Sequence, residues 1–189
     1  GKPTFLQVRR SKGGRTDTTG DWLWPWGCHV TDLVHFMFGP VERAQAIKTR
    51  GDFGAIGLNL NFVNGAAGQL AYVSPGPNWE YVLAVGETME AVQVDNSINM
   101  THYHGGSPVG AHHPSFVAGY VHSGVEMGFV GELQAFAQCI REGKQPLSNI
   151  AEATHTMALH EAFMRSLDTG KAEQVERFDA ASLPVPAGL

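Results

Sequence analysis

Ile56-Gly57-Leu58-Asn59-Leu60-Asn61-Phe62-Val63-Asn64-Gly65 is the stretch that decides how the chain reads. Ile56, Leu58, Leu60 and Phe62 alternate with Gly57, Asn59 and Asn61. That period of two sets one face of a strand on a core and the other toward water. Asn64-Gly65 is a pair favoured in tight hairpins, because both residue types accept a positive φ. Gln69 to Val73 supplies the returning strand. Upstream, Val41 to Thr49 reads as another strand. Downstream, Tyr81, Leu83 and Val85 alternate again, and Gly86-Glu87-Thr88 leads into Met89 to Val94. The expectation is an antiparallel meander of four or five strands with one face buried.

Thr4 to Arg9 is a short β-rich run, followed by a polar, Gly-rich loop from Ser11 to Gly20. Gly27 to Phe38 turns helical, with Cys28, Thr31, Leu33, Phe36 and Phe38 as expected buried positions. Gly39-Pro40 ends that helix, since Gly suits the cap and Pro cannot continue it. From Ser97 to Gly128 the periodicity is lost, and an irregular stretch of that length in a compact domain marks function or an interface. Glu132 to Arg141 reads as a helix with Leu133, Phe136, Ala137 and Ile140 on one face, stopped near Gly143. Asn149 reads as the N-cap of the next helix, with Glu152 as its capping-box partner. Ile150, Ala153, Met157, Glu161, Met164 and Leu167 mark the expected stripe of that helix, and Gly170 its C-cap. Gln174 to Phe178 is the last short strand.

The 189 residues fit one domain, with 43% hydrophobic and 16% charged residues. A net charge of −5 without a basic stripe argues against nucleic acid as the main partner. No apolar run reaches the length of a membrane span, and the start lacks the h-region of a signal peptide. Two cysteines are too few for a disulfide framework, so a cytoplasmic setting is expected.

Two stretches together resemble a known family. Gly27-Cys28-His29-Val30-Thr31-Asp32-Leu33, running on to Gly39-Pro40-Val41, is similar to the G-x-H-x-x-D helix and following strand of the Gfo/Idh/MocA oxidoreductases. Glu132-Leu133-Gln134-Ala135-Phe136, Gly143-Lys144-Gln145-Pro146, Glu152-Ala153, Leu159, Ser166 and Thr169-Gly170 resemble that family's C-terminal helix pair. The resemblance runs over nearly the whole chain and covers the family's C-terminal domain only. It implies an α+β fold, an open, mostly antiparallel sheet with helices packed on one face. Residues 1–189 would then be a single substrate-binding and oligomerisation domain, without the family's Rossmann domain. No G-x-G-x-x-G occurs; Gly51, Gly54 and Gly57 have the wrong spacing and lead into a strand. NAD or NADP would be bound in the complete protein by a domain outside this chain, and none is expected on the chain alone. The absence of an initiator Met at Gly1 fits a fragment of something longer.

His29 is the candidate catalytic residue. A neutral imidazole takes a hydroxyl proton as a hydride leaves the same carbon, the step that sugar and polyol oxidation requires. By the resemblance, that hydride passes to nicotinamide C4. Many family members carry an Asp four residues before this His, where the present chain has Pro25, which cannot move a proton. Asp32, one turn beyond His29, is a candidate to orient the imidazole or hold a substrate hydroxyl; a structural hydrogen bond is the plainer role. Trp24 and Trp26, with Trp22, alternate before the helix and offer faces for a sugar ring or for a packed interface. Tyr120 and His122 are further substrate-binding candidates. His102, His104, His112 and His113 read as a polar loop, not a metal site, because neither cysteines nor a helical His pair accompany them. His155 and His160 read as a solvated helix face.

The expected partners are a sugar or polyol substrate, the protein's own Rossmann domain, and a second copy of the chain bound through the sheet face. The alternative is a stand-alone, non-catalytic carbohydrate-binding or scaffold module that has lost its cofactor domain; Pro25 and the missing glycine motif favour it.

Overall fold

The computed structural model describes residues 1–11, 27–49, 54–74, 76–77, 79–113 and 128–178. Among them, nine strands form one open sheet: β1 (Pro3–Ser11), β2 (Val41–Lys48), β3 (Gly54–Phe62), β4 (Ala67–Ser74), β5 (Trp79–Gly86), β6 (Ala91–Asp95), β7 (Asn99–His104), β8 (Ser107–His112) and β9 (Glu173–Gln174). Three helices accompany them: α1 (Cys28–Phe38), α2 (Phe129–Glu142) and α3 (Ile150–Thr169). The order across the sheet is β8-β7-β6-β5-β1-β4-β3-β2-β9. β1 runs parallel to β4, and every other neighbouring pair is antiparallel. The first strand therefore joins two meanders, β2–β4 on one side and β5–β8 on the other. This is the expected α+β architecture.

The alternation in β3 is observed: Ile56, Leu58, Leu60 and Phe62 are all buried. Opposite them, Asn64 shapes the hairpin by donating from Nδ2 to the Phe38 carbonyl and accepting from the Ala66 amide. One face of the sheet carries Leu6, Val8, Ala44, Ala46, Leu70, Tyr72 and Val82. Helices α1 and α3 close this face with Val30, Val34 and Phe38 from the first, and Ala158, Leu159, Ala162 and Phe163 from the second. The other face carries exposed Asn59, Asn61 and Gln69, with Ile47 and Val73 open to solvent among them.

Several expectations are corrected. The stretch after Ser97 is not irregular at its start: β7 and β8 form a hairpin there, turned by Gly105 and Gly106, both at positive φ. All of β8 is exposed, so no apolar alternation marks it. In β5 the buried member is Val82, and Tyr81, Leu83 and Val85 take the opposite face. In α1 the buried residues are Val30, Thr31, Val34 and Phe38, whereas Phe36 is 70% exposed.

Helix α3 is phased differently from the expected stripe. It buries Thr156, Ala158, Leu159, His160, Ala162, Phe163 and Ser166, while Ile150 and Glu161 are exposed. The buried stripe contains polar residues that hydrogen-bond into the core, so hydrophobicity alone cannot phase it. Asn149 caps this helix as expected, its Oδ1 accepting from the Ala151 and Glu152 amides. Glu152, however, pairs with His35 of α1 at 2.7 Å. Helix α2 has the expected apolar face, but Leu133, Phe136 and Ile140 are exposed and none of its residues is buried.

Candidate functional site

Helix α1 begins without a side-chain N-cap, Gly27 standing at the capping position in helical conformation. Its start is held through the Gly27 carbonyl instead. Thr31 Oγ1 donates to that oxygen at 3.2 Å, and the Tyr72 hydroxyl donates to it at 3.3 Å from β4. Tyr72 is 2% exposed, so the tie is built inside the core. The His160 imidazole of α3, 1% exposed, lies close to the same backbone group. Two residues further on, His29 is exposed at the first turn. The fold thus fixes the backbone beneath His29 and leaves its ring accessible.

Tyr72 lies in the field of a charged pair. Arg10 and Glu80 stand opposite each other on β1 and β5, 3.9 Å apart. Ser97 donates to the Glu80 carboxylate. Burial pushes the Tyr72 hydroxyl far above the ordinary tyrosine range; Arg10 opposes that shift, and Cys28 and Glu80 add to it. Tyr72 is therefore a hydrogen-bond donor at any physiological pH. Burial pulls the His160 imidazole below its ordinary value, with the Gly27 backbone contact opposing. A neutral His160 fits a site with no room for water around a cation.

Asp32 is half-buried and accepts a hydrogen bond from Thr156 Oγ1 at 3.3 Å. That contact ties α1 to α3, the structural role weighed for it above. The α1–α3 seam then carries polar contacts of Asp32 with Thr156 and of His35 with Glu152. His155 stacks on His35 with ring centroids 5.0 Å apart. His160 is thus not on a solvated face, and His155 is half-buried. Tyr72, His160 and the Arg10–Glu80 pair are the residues that sequence reasoning missed. Alternation from Leu70 would have put Tyr72 on the core face; nothing in the helical pattern pointed to His160. Trp22, Trp24, Pro25, Trp26, Tyr120 and His122 lie outside the described residues.

The histidines of β7 are brought together with Glu90. His102 Nε2 lies 2.7 Å from Glu90 Oε2, and His104 Nδ1 pairs with Glu90 Oε1. Those two contacts, that of His104 the larger, hold the Glu90 carboxyl below the usual carboxylate range. Among the described residues no group of three side chains is arranged to hold a metal ion. No described helix is long and apolar enough to cross a membrane.

No protein-family model matches the sequence, and no curated protein matches it. Solved structures do. A levoglucosan dehydrogenase in complex with NADH superposes with a TM-score of 0.77 over 94% of this chain and 60% of its own, at 12% identity. The fold of this chain is shared with that structure over nearly its whole length. A dehydrogenase from Chromobacterium violaceum matches at 0.75 and 21% identity, over 90% of this chain and 54% of its own. An oxidoreductase from Agrobacterium radiobacter, in complex with NAD+, L-tartaric acid and magnesium, matches at 0.71 and 14% identity, over 93% and 57%. The chain spans somewhat more than half the length of these structures. The resemblance read from the sequence therefore holds at the level of fold.

Proposed function

We propose that this chain is the substrate-binding, C-terminal part of an NAD(P)-dependent oxidoreductase that acts on a sugar, polyol or related hydroxy compound. The observation that carries the reading is the superposition of nearly the whole chain on dehydrogenase structures solved with NADH. His29 is the residue that acts on the substrate. At the exposed first turn of α1, its neutral imidazole accepts the proton of the hydroxyl being oxidised. Asp32, already bound to Thr156, steadies the helix.

The residues of this chain do not fit a dinucleotide. No G-x-G-x-x-G is present, and the first turn of α1 offers Cys28 and His29 where a pyrophosphate needs glycine backbone. The cofactor belongs to another domain of a longer polypeptide. The exposed apolar face of α2, with Leu133, Phe136 and Ile140, supports this reading, since a patch of that kind calls for cover. Ile47, Val73 and Trp79 on the open sheet face similarly support assembly with a second copy.

The test is an assay of the full-length protein with NAD+ and with NADP+, across levoglucosan, L-sorbose, L-tartrate, D-glucose and myo-inositol. Formation of reduced nicotinamide with at least one of them is the expected result. Binding of a sugar without reduction of either cofactor would overturn the enzyme reading in favour of a non-catalytic carbohydrate-binding module, the role that Pro25 favours.

A further inference from the structure

A base that accepts a proton from a substrate must lie within hydrogen-bond reach of it, and an error of about 1 Å costs on the order of a hundredfold in rate. Nothing on His29 itself supplies that precision. Its side chain is exposed, and the helix turn that carries it has no N-cap side chain. What is precise is the backbone two residues earlier. The Gly27 carbonyl is held by Tyr72, a strand residue 45 positions away. That holder is not free to drift: Tyr72 sits on β4 between β1 and β3, opposite Arg10 on one side and Ile56 on the other. Tyr72 is too buried to meet a substrate.

We propose that Tyr72 is a positioning residue for His29, fixing through the Gly27 carbonyl where the first turn of α1 presents the imidazole. This rests on the reading of His29 given above. It also explains why a phenol is placed in an apolar core: its hydroxyl reaches the one carbonyl that begins the helix. Tyr72→Phe deletes one oxygen and leaves the packing of the ring in place.

The experiment is a cycle in the full-length protein, using Tyr72→Phe, His29→Ala and the double variant, with the polyol that the cofactor assay identifies. Tyr72→Phe is expected to lower kcat about tenfold with KM changed by less than about twofold. In the His29→Ala background it is expected to have no further effect on kcat. An equal loss in both backgrounds, or no loss in the first, would overturn the proposal. A readout independent of turnover accompanies the cycle: the His29 ring signal in the NMR spectrum, assigned by its disappearance in His29→Ala. That signal is expected to shift in Tyr72→Phe. An unmoved signal would refute the positioning role even if no polyol is oxidised, whereas a moved signal without turnover would sink only the functional reading.

Discussion

The Ser166 hydroxyl lies 2.8 Å from the Ala46 amide, 120 residues earlier in the chain, and accepts its hydrogen bond. Ser166 is fully buried on α3, and its hydroxyl donates in turn to the Lys171 carbonyl. One small side chain thus satisfies a strand amide and a carbonyl just past the helix end. Ser166→Ala leaves the Ala46 amide without that partner in the core, whereas the Lys171 carbonyl belongs to an exposed residue. The expected loss is about 1–3 kcal/mol, the cost of orphaning a buried polar group. Urea denaturation of the variant checks this; a loss below about 0.5 kcal/mol would mean the two backbone groups find other partners.

The pH dependence of the fold should carry the mark of His160. Its ring is held below the ordinary histidine value of 6.5 by burial, so the unfolded chain takes up a proton that the folded one refuses. Stability is unaffected by this group above that value and falls as the pH drops below it, until the folded ring also titrates. The slope is at most about 1.4 kcal/mol per pH unit for one proton. Urea midpoints compared at about pH 7.5 and about pH 5.5 should fall in the native chain and fall less in His160→Gln. Parallel declines would show that other groups govern the acid limb.

Glu90 works in the opposite sense. Its carboxyl is depressed by His104 and His102, so what it contributes is present above the ordinary carboxylate value and is lost as the pH falls through the lowered one. All three side chains reach solvent, and the effect is local. Carboxyl-carbon NMR should place the Glu90 midpoint below that of an ordinary glutamate, and His104→Ala should raise it. A midpoint that ignores the loss of His104 would show that the contact does not persist in solution.

How much of this was legible in the sequence varied with the kind of signal. Strand β3 was legible because Ile56, Leu58, Leu60 and Phe62 are apolar and their neighbours are not. The hairpin at Asn64-Gly65 and the caps at Gly39, Gly143, Asn149 and Gly170 were legible because those positions need particular backbone angles or a side-chain acceptor. Strands β7 and β8 were not, since exposed histidines, glycines and Pro108 give no alternation to read. Helix α3 was phased wrongly because Thr156, His160 and Ser166 look like a polar face until their partners are known. The site was legible only in part. His29 was a candidate through the resemblance carried by Gly27-Cys28-His29, but the tie from Tyr72 to the Gly27 carbonyl ends on a backbone atom. No residue-type pattern encodes it.

The most direct test of the account is the turnover of His29→Ala in the full-length protein, with the polyol and cofactor that support the native reaction. The account predicts a fall in kcat of about a hundredfold or more with the fold unchanged by circular dichroism. Turnover equal to that of the native protein would remove His29 from the chemistry, and with it the functional reading built on the first turn of α1.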